Sequence, residues 1–332
     1  MGIPSGLDGQ FGFREETTYG EIVTVNRFLQ LADESVKTEI ERLESKSIIA
    51  GARVARSSQW AAGLRRSEGD IGLEVYDGSI GLLLKHMMGT VSSTSSGGSA
   101  PYSHTFDVGS LTGKSLTVQF GRPTRTGAKI PFTYGGVKIQ SWQIGLSVGE
   151  IATLGLTVVA QSETYNSTST TGPASLQVAS YDPNIEPLNF VNGSLTLGGS
   201  DLCVRSATIS GENNLDTDRT CVGSRNILEP VEADLREYTA ETEVEFGANG
   251  GPSELELYNR YINGEEAQLV LVLENEAGTR RLTISGNVRT DGETPTIGGR
   301  EMLTYNLNMV FRGTTSDATA ITMSYVTSDS TP

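Results

Sequence analysis

The 332-residue chain carries 40 acidic against 25 basic residues, for a formal net charge of −15, with 36% hydrophobic residues and 39 glycines. That length supports two domains with ordinary cores, and the glycine content suits a turn-rich β protein. The acidic balance, with basic residues clustered no further than pairs such as Arg65-Arg66 and Arg280-Arg281, argues against gripping nucleic acid, because phosphate binding needs concentrated Lys and Arg.

No apolar run approaches the length that spans a bilayer, so no membrane insertion is expected. Met1 is followed by a polar, glycine-bearing segment without a basic n-region or apolar h-region, so the expectation is a chain without a secretion signal that folds in a cytoplasm. Cys203 and Cys221 fall in separate predicted strands and are expected to be small buried apolar groups.

In chain order, residues 1–34 read as an extended N-terminal arm, weakly alternating at Ile22, Val23, Val25 and Phe28. Residues 35–44 (SVKTEIERLE) fit both helical spacing at Val36, Ile40 and Leu43 and an alternation of Val36, Thr38 and Ile40 with Lys37, Glu39 and Glu41. A strand is expected, because the corresponding run 204–211 (VRSATISG) is β-rich. Ile71, Leu73 and Val75 then alternate with Gly72, Glu74 and Tyr76, after which Asp77 or Ser79 offers an N-cap to a helix over 80–88 stopped by Gly89. The polar run 91–100 (VSSTSSGGSA) reads as an exposed loop. Strands follow at 115–120, 132–148 and 151–161, the last two joined at Gly149-Glu150.

The same order of parts recurs. Residues 47–53 contain Gly51-Ala-Arg53 and precede a strand, a short helix closed by glycine and three strands. Residues 220–225 contain Gly223-Ser-Arg225 and precede a strand with Glu241, Glu243 and Glu245 alternating with Thr242, Val244 and Phe246. A helix follows with Ser253 as N-cap, Leu255, Leu257, Tyr258 and Tyr261 packing inward and Gly264 as its end, then strands at 267–273, 281–289 and 302–311 with a connection at Gly298-Gly299. One small β-fold, duplicated and fused, accounts for this. Residues 35–161 and 188–313 are the two domains, 162–187 is a Ser/Thr/Pro-rich linker, and 314–332 is a tail expected to be partly disordered.

Catalytic constellations are scarce. His86 and His104 are the only histidines, without a cysteine beside either, and read as satisfied or exposed side chains. Residues 109–115 (GSLTGKS) approximate a phosphate-binding loop but are one residue short between the glycines and lead into a strand, where such a loop needs a helix N-terminus. Asn214, Asp216 and Asp218 alternate as in a calcium loop, yet Arg219 and Arg225 stand where it needs Gly and Glu. No enzyme activity, metal or cofactor is expected. Glu39, Glu41, Glu74, Glu241, Glu243 and Glu245 put carboxylates on strand faces, either as the wet side of a half-buried sheet or as the lining of an aqueous channel.

The run 11–20 (FGFREETTYG) with Arg27-Phe28-Leu29, residues 45–53 (SKSIIAGAR), and 187–199 followed by 206–214 (SATISGENN) resemble the tail tube proteins of long-tailed, siphophage-type bacteriophages. The resemblance covers most of the chain. It implies a mainly β fold of two tandem tail-tube-like β-sandwich or barrel domains, each with one short α-helix, and a virion tail component assembled in the host bacterial cytoplasm. It implies rings that self-assemble and stack into a hollow tube around the tape measure protein, meet tail terminator and baseplate proteins, and pass DNA at ejection without binding it specifically. Most members carry one domain and form hexameric rings, so two domains per chain would let a trimer stand in for a hexamer, with a hexamer of chains as the alternative. The acidic residues named above would face the lumen, and Phe11, Phe13, Tyr19, Ser95 and Gly97 would make contacts between rings. Rival readings are another virion structural component, such as a baseplate or fibre protein, a carbohydrate-binding β-sandwich, or an esterase-like enzyme.

Overall fold

Period-two alternation of apolar and polar residues builds most of the molecule, a computed structural model in which residues 5–96, 99–165, 172–245, 254–291, 304–317 and 320–332 are described. The N-terminal half contains β1 (Gln10–Glu15), β2 (Arg27–Leu29), β3 (Leu31–Glu34), β4 (Lys37–Glu44), β5 (Trp60–Glu74), α1 (Gly81–Met88), β6 (Gly89–Ser96), β7 (Ser99–Val108), β8 (Leu116–Pro123), β9 (Lys129–Ser147), β10 (Thr153–Ala160) and β11 (Ser162–Tyr165). The C-terminal half contains β12 (Gly193–Leu197), β13 (Ser200–Asp201), β14 (Val204–Glu212), β15 (Glu237–Glu245), α2 (Glu254–Asn263), β16 (Glu266–Glu274), β17 (Arg281–Asp291), β18 (Thr304–Phe311) and β19 (Ile321–Thr327).

The two halves pair their strands in one order, all antiparallel. The first runs β2–β1–β8–β9–β10–β5–β4. The second runs β13–β12–β16–β17–β18–β15–β14. In each, a further strand continues along the same edge, β11 beyond β10 on β9 and β19 beyond β18 on β17. Outside a bulge between Thr157 and Val158 the registers match: Val159 faces Lys138 in the first half as Val310 faces Arg289 in the second, and Thr38 faces Ser67 as Gly211 faces Tyr238. The counterpart of β14 is therefore 31–39, which is β3 and the start of β4, rather than 35–44. Residues 37–44 are strand, as the alternation suggests.

The halves are tied by strand pairing at two places. β14 lies on the C-terminal part of β9 through seven residue pairs, from Ser206↔Ser147 to Glu212↔Ser141. The β6–β7 hairpin, which has no counterpart in the C-terminal half, lies along β19. A buried ion pair adds to these, Asp77 Oδ2 lying 3.1 Å from Arg280 Nε. One core results, running from Phe11, Leu73 and Met87 through Trp142 and Ile209 to Leu271 and Met323.

Each short helix ends at a glycine that needs a positive φ, Gly89 at 111° and Gly264 at 63°. At Gly89 a Cβ would meet the carbonyl oxygen of Gly109 at 2.0 Å, so only glycine fits. Neither Asp77 nor Ser79 caps α1; Ile80 holds that position. Asp77 instead accepts from the Glu186 amide, a better use for a carboxylate with no solvent exposure. In α2, Leu257 is buried while Tyr258 and Tyr261 are half-buried. Ser253, Phe246, Gly298, Gly299 and the side chain of Leu255 lie outside the described residues.

Several expectations change. Within the segment expected as an extended arm, β1 and β2 join the sheet beside β8. Residues 91–96 and 99–100 are strand rather than loop. Their Ser and Thr residues form the β6–β7 hairpin, whose register is set by the cross-strand partners on β19. The tail is ordered through β19, where Ile321, Met323 and Tyr325 alternate inward and Tyr325 is 0% exposed. The linker begins with β11. Cys203 and Cys221 are exposed free thiols, since each sits in a turn or connection rather than on a strand's inner face.

Candidate functional site

Six strands, β5–β10–β9–β14–β15–β18, form one continuous sheet spanning both halves. Its inner face is apolar, with Ile71, Leu73, Leu154, Trp142, Ile144, Ala207, Ile209, Ala240 and Leu307 buried. Its outer face alternates with these and is made of acids, hydroxyls, amides and glycines. One row crosses all six strands as Glu74, Thr153, Gly145, Thr208, Glu241 and Asn308. A second runs Asp70, Thr157, Ser141, Glu212 and Glu237, and a third Ser147, Ser206, Glu243 and Asn306. No Lys or Arg stands in these three rows, so the face presents negative charge over small side chains.

Glu74, Glu241 and Glu243 thus share one face, although 167 residues separate the first two by number. Glu245 continues the β15 series at the register position opposite Thr304, its side chain lying outside the described residues. Asp70, Glu212 and Glu237 join them and escape notice in the sequence. Asp70 continues the even-numbered alternation through Gly72 and Glu74, which was the available signal, whereas Glu212 and Glu237 become neighbours only through pairing. Glu39 and Glu41 lie apart, on the arm that β4 makes with the start of β5. There Glu39 pairs with Lys37 at 2.7 Å and stands opposite Arg66.

The residues expected between rings are placed differently. Phe11 and Phe13 are both 0% exposed and stack at 5.3 Å in the core of the N-terminal half, so burial within the chain removes them from any surface. Tyr19 is half-buried, its ring centroid 5.7 Å from Lys138 Nζ. Ser95 is exposed on β6, and Gly97 lies outside the described residues. The turn after β1 is held by Glu16, a buried carboxylate that accepts from Ser115 Oγ at 2.6 Å, Thr117 Oγ1 at 2.8 Å and the amides of Gly20 and Gly136. Ser115, the last residue of the phosphate-loop-like run, serves this carboxylate.

The histidines are accounted for structurally. His104 Nε2 donates to the Asp329 carbonyl at 2.9 Å, which leaves Nδ1 to accept from Ser93 Oγ at 2.7 Å. His86 is buried in α1, and burial lowers its pKa. Its Nε2 lies 3.4 Å from Glu15, whose carboxylate also accepts from Lys85 Nζ at 2.7 Å to each oxygen. The nearby His86, then Lys85, hold the Glu15 carboxyl down to about 2 against the opposing effect of burial.

The β9–β14 seam continues into residues 213–236, which fold over the N-terminal half. Asn213 donates from its amide to the Gln140 carbonyl at 2.8 Å and from Nδ2 to the Ile139 carbonyl at 2.9 Å. Lys138, only 2% exposed, gives its three ammonium hydrogens to Glu229 Oε1 at 2.6 Å and to the carbonyls of Leu111 and Pro230 at 2.9 Å. Burial lowers the Lys138 pKa, with Glu229 opposing. Arg236 closes the segment by donating to the Met88 carbonyl at 2.8 Å and the Gly109 carbonyl at 2.5 Å at the end of α1, where a cation suits the helix C-terminus.

No curated protein sequence matches the chain. A family model described as phage tail tube protein matches residues 6–323, which takes in the polar sheet face, the seam and the first three residues of β19. The mainly β chain therefore belongs to the phage tail tube protein family, whose role is a structural one in the virion tail.

Proposed function

We propose that this chain is the ring-forming subunit of a long-tailed phage's tail tube, carrying two tube domains, and that the acidic sheet face lines the lumen. The observation that carries the reading is the seam of β14 on β9. It is an edge-to-edge joint between two units of equal strand order, formed within one chain. Repeating that joint between chains, with the 31–39 edge of one copy on the β17–β18 end of the next, extends the sheet around a ring until the rotation closes it. Exposed edges, an aggregation liability in an isolated sheet, become the assembly surface. Three chains supply six units, so the ring is a trimer with pseudo-sixfold symmetry. Stacked rings form the tube around the tape measure protein, capped by terminator and baseplate proteins.

On this reading the three rows without Lys or Arg serve passage rather than binding. Carboxylates of Asp70, Glu74, Glu241 and Glu243 repel the phosphate backbone, and short Ser, Thr and Gly side chains keep the bore wide. Electron microscopy of the purified full-length protein tests the assignment, with hollow stacked rings of threefold symmetry expected. Solid rods, or particles without a bore, would reject it.

A further inference from the structure

The segment 213–236 has a counterpart in the N-terminal half that projects from the sheet, its base meeting the seated segment where the Arg65 amide donates to the Arg225 carbonyl at 2.8 Å. The matched registers equate Glu39 with Glu212 and Arg65 with Arg236, so residues 40–64 correspond to 213–235. Within them Gly51-Ala-Arg53 matches Gly223-Ser-Arg225, and both glycines take a positive φ, 80° and 96°. The seated segment buries Leu215 and Ile227. The other projects as a hairpin of β4 and early β5 whose Ile48 is 96% and Val54 74% exposed, with Leu43 and Trp60 also open to solvent.

Charge differs between the two in a matched way. Residues 213–236 hold Asp216, Asp218, Glu229, Glu232 and Asp234 against three arginines, and they sit on Lys138 and Arg66, Asp218 lying 2.5 Å from Arg66. Residues 40–65 hold Arg42, Lys46, Arg53, Arg56 and Arg65 against Glu41 and Glu44, and the projecting part 45–59 holds Lys46, Arg53 and Arg56 with no acid. The seat is altered to suit. At the position of Arg66 the C-terminal half has Glu237, at the Gln140–Ser141 bulge it has Asp291, which pairs with Arg289 at 3.0 Å, and where α1 ends beside Arg236 it has exposed Glu265 and Glu266 after α2. Only Lys138 keeps its sign, as Arg289.

We infer that residues 40–65 are a clasp that seats on the C-terminal half of the next copy of this chain, setting Lys46, Arg53 and Arg56 against Glu237, Glu265, Glu266 and Asp291. The inference rests on the head-to-tail ring proposed above and names its contact. The inverted charges also keep the two clasps from exchanging. A basic clasp is repelled by the Arg66–Lys138 seat, and an acidic one by Glu237, Glu265 and Glu266. Apolar Ile48 and Val54 supply area that the charges only steer.

The test uses full-length protein and sedimentation velocity at about 0.15 M salt, near the 8 Å screening length. The clasp variant Lys46→Glu/Arg53→Glu/Arg56→Glu and the seat variant Glu237→Lys/Glu265→Lys/Glu266→Lys should each raise the concentration needed for assembly at least about tenfold, which corresponds to about 1.4 kcal/mol. Both sets in one chain should restore it. Assembly of either single variant at the unmodified concentration, or no recovery in the combined chain, overturns the clasp. Hydrogen exchange on the unmodified protein gives an independent reading. Residues 45–59 should gain at least about tenfold protection on assembly, and unchanged exchange there overturns the inference while leaving the ring intact. Unmodified chains that do not assemble at all would overturn the proposed function, and the clasp with it.

Discussion

In the N-terminal half, the outer edge of β9 is filled by β14 and the ground beside it is covered by residues 213–236, held by Lys138, Gln140 and the end of α1. In the C-terminal half the matching ground, around Arg289, Asp291 and the end of α2, carries no such covering among the described residues, and Glu265 and Glu266 stand exposed. The strand order is the same in both. What differs is whether the joint is made within the chain, and on the proposed reading the internal joint is the pattern for one made between chains.

The internal joint can be broken at its most buried point. Glu229→Ala leaves Lys138 buried with two carbonyls and no counter-charge, and the expected loss is about 3 kcal/mol of unfolding free energy in a denaturant titration. A loss below 0.5 kcal/mol would mean that residues 213–236 are not anchored there. Gly211 stands opposite Trp142 in the seam, and a Cβ at that position would meet the indole at 2.4 Å. Gly211→Val should cost about 2 kcal/mol through overpacking, read as a lower melting temperature. Its counterpart Thr38 lies on the free edge, where valine should cost the monomer only the hydrogen bond to buried Ser67, about 1 kcal/mol.

Acid should act on the N-terminal half in a defined window. Because the Glu15 carboxyl is held at about 2 in the folded chain, against an ordinary value of 4.5, it contributes stability that is fully present above about pH 5 and is lost as pH falls toward 2. With its side chain partly exposed, the discounted contribution is about 1 kcal/mol. Glu15→Gln should remove that part of the acid dependence, and an unchanged profile of stability against pH would contradict the assignment. The exposed Arg66–Asp218 pair gives the smallest effect. Asp218→Asn should cost under about 0.5 kcal/mol, and a larger loss would make that end of the segment, rather than Lys138, the anchor. On the sheet face, Asp70→Lys with Glu241→Lys and Glu243→Lys should change monomer stability by less than about 0.5 kcal/mol. Ring formation should persist while DNA ejection falls, and normal infectivity would remove the face from the lumen.

Many strands were legible along the chain, because the end of β5 from Asp70, β9, β10, β15 and β17 carry apolar alternation and because Gly89 and Gly264 mark the helix ends, whereas residues 60–69 of β5 and the pairing order were not. The β6–β7 hairpin was not, since a run such as SSTSS has no apolar alternation of its own and is held as strand by its neighbours. Residues 321–327 (ITMSYVT) did alternate, but Ser/Thr-rich surroundings masked the period. Phe11 and Phe13 show the limit of reading a motif without its partners, because only pairing with β8 turns them inward. Glu229 and Lys138 lie 91 positions apart, and nothing local links them.

The central claim is that two units in one chain make three chains equal six. It is tested most directly by the native mass of a single ring released from the tube, alongside its rotational symmetry in averaged images. A mass of three chains with threefold symmetry and sixfold pseudosymmetry is predicted. Six chains per ring, or an open helical assembly without closed rings, would contradict it.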